Sequence, residues 1–234
     1  MLPEKLPWHR NFWRRGFRWL FRNVSAWTAA IGTSLVCAMP CFRFIKETRP
    51  NLRPITFTTW FIQKVIGINR KAYWPMHFTS TFSGWVRYAV VGIGSSPGLA
   101  PGCYIQAIGH LYIGNYTGLG PNVGIITANH SILDLRKWVH GEVRIGDYCW
   151  IGMNSTILPG VVLGDFTIVA AGSVVTDPFP EGYCVLMGNP AKVVKRYDSP
   201  EVRNHFVRYQ DPCEYNGYIK ASHFAQFRRT KLSI

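Results

Sequence analysis

Acidic residues and cysteines are both scarce in this chain of 234 residues. The six cysteines are scattered, and the only close pair, Cys37 and Cys41, has a CxxxC spacing. This distribution does not suggest a disulfide framework, so we expect a reduced, cytoplasmic chain. Hydrophobic residues make up 47% of the sequence, which argues against wholesale disorder and allows one domain with a sizeable core plus an appendage.

The small number of acidic residues leaves a formal net charge of +14, which is unevenly distributed. Residues 91–184 contain six acidic and three basic residues, so the middle of the chain is net negative. The positive charge therefore belongs to the two flanks. This distribution disfavours one uniform nucleic-acid surface, and we expect no nucleic acid as a partner.

An aliphatic residue recurs every six positions through the middle of the chain, with one interruption. The series is Ile113, Leu119, Ile125, Ile145, Ile151, Ile157, Leu163, Val169 and Val175, and it extends upstream, after a two-residue slip, to Ile105, Leu99 and Ile93. A unit of six residues suits one short strand and one turn, so three units predict a triangular coil whose aliphatic residues point inward. About twelve units predict roughly four stacked coils.

The segment Ile145–Arg196, which ends in GNPAKVVKR, closely resembles the terminal coils of hexapeptide-repeat O-acetyltransferases. That family holds galactoside, maltose, capsule and exopolysaccharide acetyltransferases. The segments Pro121–His130 and, more weakly, Thr59–His77 resemble the same family. The resemblance implies an all-β fold over residues 86–197, a left-handed parallel β-helix that is an exception to the right-handed crossover rule. It also implies acetyl-CoA as cosubstrate and a homotrimer with active sites between subunits.

The six-residue pattern breaks once, in a polar loop at 126–144 that contains Asn129 and His130. Acyl transfer from a thioester to an alcohol needs a base that takes the hydroxyl proton, and histidine is suited to this task. Because the position matches the family's catalytic histidine, the resemblance implies that His130 is the general base. Its orienting partner stays open between Asp134, Glu142 and a backbone carbonyl.

The resemblance also implies a donor site in a groove between coils, where backbone groups can pair with the pantetheine amides of coenzyme A. The expected groove residues are Trp150, Gly152, Met153, Ala170, Ala171 and Thr176, and the N–H near Met153 would stabilise the developing oxyanion. Lys192 and Lys195 would meet the phosphates. Many relatives carry Lys where this chain has Asp177, and a carboxylate there would disfavour the phosphates.

The acceptor side departs from galactoside-type relatives, which carry an acidic residue in the coil before the PNV segment. The corresponding segment here, Cys103–His110, contains no carboxylate. Tyr104, Gln106 and Asn129 are the expected acceptor contacts. By analogy we expect a glycan of a surface polysaccharide or its precursor, and acetylation of a small hydroxylated molecule such as an antibiotic is the alternative.

The amino-terminal segment 1–85 lacks the repeat. Arginines recur every four residues within Trp8–Arg22, which places them on one side of a basic, interfacial helix. The uncharged segment Asn23–Phe42 approaches the length of a membrane span but is diluted by polar residues, Gly and Pro. Peripheral contact with the inner face of a membrane and packing of a helical pair on the repeat domain both stay open. A role of this segment as a signal peptide is disfavoured, because export would separate the enzyme from cytoplasmic acetyl-CoA.

Two other function classes are compatible with the repeat. A metal enzyme similar to the γ-class carbonic anhydrases would use His110, His130 and His140, but their spacing differs from that family and no metal is expected. A non-catalytic scaffold at the membrane would tolerate the loss of His130. The tail 198–234 is basic and aromatic, and its only expected role is in trimer packing.

Overall fold

The structure, a computed structural model, describes residues 39–49, 54–197, 204 and 213–232. The chain divides into two compact units, Met1–Arg43 and Phe44–Ile234. The predicted interfacial helix at Trp8–Arg22 and most of the uncharged segment Asn23–Phe42 lie outside the described residues. None of the helices that the structure describes has both the length and the apolar character needed to cross a bilayer.

Helices are short and lie at the two ends of the described chain. They are α1 (Arg43–Glu47), α2 (Phe57–Phe61) with a π-helical continuation Ile62–Ile66, and α3 (Ala221–Phe227) with a π-helical continuation Arg228–Leu232. Two 3-10 turns cover Pro40–Phe42 and Val86–Tyr88. Helix α2 is capped by Thr56, whose hydroxyl accepts the Thr59 N–H, and its continuation is capped by Gly67 with φ of 98°.

Three parallel sheets form the body of the structure. The first contains β1 (Thr81–Gly84), β3 (Tyr104–Ala107), β6 (Gly124–Ile125), β11 (Thr156–Ile157) and β14 (Val174–Val175). The second contains β2 (Ala89–Val91), β4 (His110–Ile113), β9 (Glu142–Ile145) and β12 (Val162–Leu163). The third contains β5 (Gly118–Leu119), β10 (Trp150–Ile151), β13 (Ile168–Val169) and β15 (Cys184–Gly188), closed by antiparallel β16 (Ala191–Arg196). Because the chain visits the three sheets in turn, it winds as a parallel β-helix with three faces.

The aliphatic residues of the six-residue series fill the interior, as their spacing predicts. From Ile105 to Val175 every member of the series is at most 4% exposed. The upstream end differs, because Ile93 is only half-buried and Val91 points into the core instead. The second and third sheets each contain four parallel strands, as roughly four coils predict, and the first contains five, beginning at Thr81.

The corner between the second and third sheets is held by a ladder of polar side chains. The Asp147 carboxylate accepts the Asn115 N–H at 2.7 Å, and the Asp165 carboxylate accepts the Asp147 N–H at 2.8 Å. Each side chain thus satisfies a backbone donor of the preceding coil. Four aromatic residues with left-handed backbone conformation lie beside the ladder. Their rings form a row with centroids about 5 Å apart, in the order Tyr116, Tyr148, Phe166 and Tyr183.

The described carboxyl-terminal segment 213–232 returns to the first coil. Strands β17 (Tyr215–Asn216) and β18 (Ile219–Lys220) form a small antiparallel pair. The Asn216 amide donates to the Val91 carbonyl at 2.9 Å, and the Gly94 N–H donates to the Tyr215 carbonyl at 2.9 Å. The segment therefore packs against the start of the β-helix.

Replacing Ile157 by Ala should lower the free energy of unfolding by about 2–5 kcal/mol, because its fully buried side chain would leave a cavity. Ile132, which is 95% exposed, provides the matched control, and Ile132→Ala should change stability by less than about 0.5 kcal/mol. Urea unfolding followed by circular dichroism measures both. Equal losses in the two variants would contradict the inward orientation of the repeat.

Candidate active site

The interruption of the repeat is an insertion at the corner between the first and second sheets. Thr156 and Val162 lie six residues apart, whereas their paired partners on the preceding coil, Gly124 and Arg144, lie twenty residues apart. The coil register is the same on both sides of this corner. The fourteen additional residues therefore leave the β-helix without disturbing its stacking.

The additional residues form a β-hairpin rather than an irregular loop. Strand β7 (Ala128–His130) pairs antiparallel with β8 (Trp138–His140), and residues 131–137 make the turn. The neck of the hairpin is closed by the Gly141 N–H, which donates to the Thr127 carbonyl at 2.8 Å. His130 thus stands at the end of a strand, next to the turn.

Two contacts fix the imidazole of His130. Its Nδ1 lies 2.5 Å from the main-chain oxygen of Leu135, and its ring contacts that of Trp138 with centroids 3.9 Å apart. A carbonyl oxygen has no proton to give, so Nδ1 is the donor, and in the neutral ring the lone pair lies on Nε2. The exposed ring therefore has a fixed orientation with Nε2 as its proton-accepting atom.

The two carboxylates that could have oriented His130 are engaged elsewhere. Asp134 accepts three hydrogen bonds from Arg136, two from the guanidinium at 2.9 and 3.2 Å and one from the main chain at 3.1 Å. These bonds, the guanidinium's first, lower the pKa of the Asp134 carboxyl. Glu142 lies on β9 of the β-helix and forms an ion pair with Arg144. The backbone carbonyl is the partner that the structure selects.

Trp138 and the Leu135 carbonyl were not singled out from the sequence. His130 and Trp138 face each other because both lie four residues from Asp134, at the centre of the turn. Their equal distance from a turn residue was the one sequence signal that could have indicated contact between His130 and Trp138. A main-chain carbonyl carries no residue signature, so no sequence signal pointed to Leu135.

The three expected acceptor residues occupy different environments. Tyr104 is 38% exposed on β3, and Asn129 is exposed on β7. Gln106 is only 3% exposed, and its Oε1 accepts the N–H groups of Thr127 and Ala128 at 2.9 and 2.8 Å. Gln106 therefore holds the entry to the hairpin, and its side chain does not face an acceptor.

The expected donor residues around β10 gather at the corner after the third sheet. Trp150 lies beside Ile168 across the sheet, and Met153 is 47% exposed in the turn that follows. A Cβ at Gly152 would lie 2.6 Å from the Ala171 N, so only glycine lets the two coils approach this closely. Ala170, half-buried, directly precedes Ala171.

Thr176 and Lys192 meet at Asp177. The Thr176 hydroxyl donates to Asp177 Oδ2 at 2.9 Å, and the Lys192 Nζ lies 3.5 Å from the same oxygen. Lys192 pairs with Met187 on β15, which lies next to β13, the strand that Ala170 follows. Lys195 lies further along β16 and is exposed. The carboxylate thus competes for the lysine that the sequence assigned to the phosphates.

The buried thiols are poorly suited to nucleophilic catalysis. Burial raises the pKa of Cys149 to about 12, so it carries no thiolate at neutral pH. Cys103, Cys184 and Cys213 are also buried. Within the described part of the chain no three His, Cys, Asp or Glu side chains gather as metal ligands would. The imidazole of His130 is exposed, and its Nδ1 is held by the Leu135 carbonyl, which is a geometry suited to a base.

Replacing Gln106 by Leu should destabilise the chain by about 1–3 kcal/mol for each of the two N–H groups that lose their acceptor. Tyr104→Phe, on the same strand but exposed, should leave stability nearly unchanged. Thermal unfolding measures stability, and hydrogen exchange at Thr127 and Ala128 measures the anchor itself. Unchanged exchange at these two amides in Gln106→Leu would refute the anchoring role.

Known proteins resemble the repeat region of this chain. Residues 142–177 match the family described as "Bacterial transferase hexapeptide (six repeats)", which confirms the resemblance. A protein of Saccharomyces cerevisiae named as an acetyltransferase is 45% identical over 83 residues, which are 33% of this chain and 41% of that protein. The galactoside O-acetyltransferase of Lactococcus lactis subsp. lactis is 33% identical over 99 residues, or 41% of this chain and 47% of that protein.

This chain spans about half the length of the curated relatives it matches. Among solved structures, a hexapeptide-repeat acetyltransferase of Vibrio cholerae O1 biovar eltor in complex with acetyl coenzyme A superimposes with a TM-score of 0.47 at 21% identity. That alignment covers 68% of this chain and 86% of the other.

Proposed function

We propose, from the hexapeptide-transferase repeats at residues 142–177 and the geometry of the inserted hairpin, that this chain is an acetyl-CoA-dependent O-acetyltransferase. The acceptor is a hydroxyl of a glycan, such as a surface polysaccharide or its precursor. The observation that carries the proposal is the His130 ring, fixed by Leu135 and Trp138. The left-handed sense of the helix and a homotrimer, with sites between subunits, belong to the same proposal.

In this mechanism Nε2 of His130 accepts the proton of the acceptor hydroxyl as its oxygen attacks. The hydrogen bond from Nδ1 to the Leu135 carbonyl holds the ring and stabilises the positive charge that it gains. The bound thioester would supply the acetyl group: its C–S bond breaks as the new C–O bond forms, and coenzyme A leaves as the thiol with the proton that His130 had accepted. No covalent acetyl-enzyme is required, in keeping with the buried state of Cys149. Asn129 and Tyr104, both exposed, are the residues that we propose contact the acceptor.

The corner after the third sheet suits coenzyme A. Exposed Met153 and half-buried Trp150 offer apolar surface for the pantetheine arm, and Gly152 leaves the backbone free of a side chain. The Met153 N–H is the proposed oxyanion donor, with Ala170, Ala171 and Thr176 completing the groove. Lys192 and Lys195 are exposed cations at the phosphate end.

The location of the enzyme follows from its substrates. A cytoplasmic position gives access to acetyl-CoA, and the basic segment Trp8–Arg22 would add peripheral contact with the inner face of a membrane. Two alternatives are separated by experiment. A small hydroxylated acceptor, such as an antibiotic, would replace the glycan in the same assay. A membrane scaffold would release no thiol at all.

The function is tested by thiol release from acetyl-CoA with a panel of glycan and small-molecule acceptors. His130→Ala should lower acceptor-dependent release roughly a hundredfold or more, the contribution expected of a general base. The control is His140→Ala, because His140 is also exposed on the hairpin with its Nδ1 on a backbone carbonyl, that of Ile108 at 3.1 Å. Equal activity of the two variants would rule out His130 as the base.

Asp177→Asn should lower the KM for acetyl-CoA by up to about fivefold, because Lys192 is then released from an exposed ion pair worth about 0.2–1 kcal/mol. Lys192→Gln should raise KM by a similar factor. Glu181→Gln, which removes another exposed carboxylate, is the control and should leave KM unchanged. Steady-state kinetics at low salt measures all three. A rise in KM for Asp177→Asn would contradict the competition.

A further inference from the structure

The helix that precedes the β-helix buries a polar residue and exposes apolar ones. Its polar residue Gln63 is fully buried, and both ends of the amide are engaged. The Nε2 donates to the main-chain oxygens of Ala72 and Trp74, at 3.2 and 2.9 Å, and the Oε1 accepts from the Met76 N–H and the Tyr218 hydroxyl. This network fixes which side of the helix faces the protein.

Large apolar residues close to Gln63 in the chain are exposed instead. Phe61 is 40% exposed, Val65 is 56%, Ile66 is 60%, and Ile68 in the following turn is 41%. Phe61 and Val65 are four residues apart and share one side of the helix. An ordinary amphipathic helix buries such residues, and contiguous exposed apolar surface marks an interaction site.

A second exposed aromatic residue lies next to this turn. The Asn69 amide donates to the His77 carbonyl at 3.1 Å and to the Ser80 carbonyl at 2.7 Å, which ties the turn to the segment containing Phe78. Phe78 is 52% exposed. We call Phe61, Val65, Ile66, Ile68 and Phe78 the docking surface.

The stretch of chain that carries the docking surface has charge of one sign. Between Glu47 and Asp134 the sequence contains no acidic residue, while Arg70 and Lys71 directly follow the docking-surface turn and are exposed. The same stretch contains four further basic residues, Arg49, Arg53, Lys64 and Arg87. Exposed apolar side chains next to exposed cations such as Arg70 and Lys71 are typical of a segment that lies in the headgroup region of an anionic bilayer.

We propose that the docking surface inserts into a lipid bilayer containing anionic lipids, with Arg70 and Lys71 at the headgroups. A two-fold contact with a second copy of this chain fits the surface less well. A two-fold contact would place Arg70 and Lys71 close to the same residues of the partner, and like charges would repel. The inference does not depend on the chemistry at His130, so either can fail without the other.

The test reads the environment of the surface directly in the full chain. The exposed Cys41, together with Cys37, is replaced by Ser, and Val65→Cys is labelled with an environment-sensitive fluorophore. Val194→Cys is the matched control, because both valines are 56% exposed and both have basic neighbours. Phosphatidylglycerol-containing vesicles should shift the emission at position 65 to the blue and leave position 194 unchanged.

A second variant tests the charge. Arg70→Gln with Lys71→Gln should weaken vesicle binding, read by the label at position 65, by about 30-fold, since each basic residue near an anionic surface contributes about fivefold. Neutral phosphatidylcholine vesicles should produce no shift.

Three outcomes would overturn the proposal. Co-sedimentation with vesicles without a shift at position 65 would place membrane contact elsewhere in the chain. A shift that grows with protein concentration in the absence of lipid would indicate self-association. An equal emission shift at position 65 with neutral vesicles would show that Arg70 and Lys71 do not contribute to binding.

Discussion

Main-chain hydrogen bonds between successive coils are the constraint on which the rest of the structure depends. The Gly124 N–H donates to the Ser155 carbonyl, and the Thr156 N–H donates to the Ser173 carbonyl, both at 2.9 Å. Every coil must repeat this register, because a slip would leave buried donors unpaired. Additional residues can therefore enter only where they leave the helix as a closed unit. The hairpin that carries His130 is such a unit.

An exposed residue on a projecting hairpin needs support from the rigid part of the fold. Gln106 supplies it at the neck, because its buried oxygen takes two main-chain donors where β7 begins. At the tip of the hairpin, Arg136 donates hydrogen bonds to the Asp134 carboxylate, which holds the turn next to Leu135 in place. The Leu135 carbonyl then orients His130. The buried Gln106 amide therefore positions the exposed His130 imidazole through backbone groups, which are more rigid than side chains.

The two ends of the described chain meet at the first coil. Tyr218, from the carboxyl-terminal segment, donates its hydroxyl to Gln63 at 2.7 Å, and burial raises the pKa of that phenol. The inward position of Gln63 is thus fixed from both ends of the sequence. Its consequence is that Val65 and Ile66 face outward. One satisfied amide therefore determines which surface the amino-terminal helix offers.

The sequence by itself determined the coiled architecture and the position of its interruption. A six-residue period is a multiple of the strand period, so residues such as Ile157 had to share the interior, and His130 stood where the period failed. Only the tertiary structure decided the partners of His130. Leu135 acts through a carbonyl that every residue possesses, and Trp138 through a cross-strand pairing. Gln106 lies on the outer face of its strand and is buried by the hairpin that covers it, so its burial depends on what packs there and not on the strand.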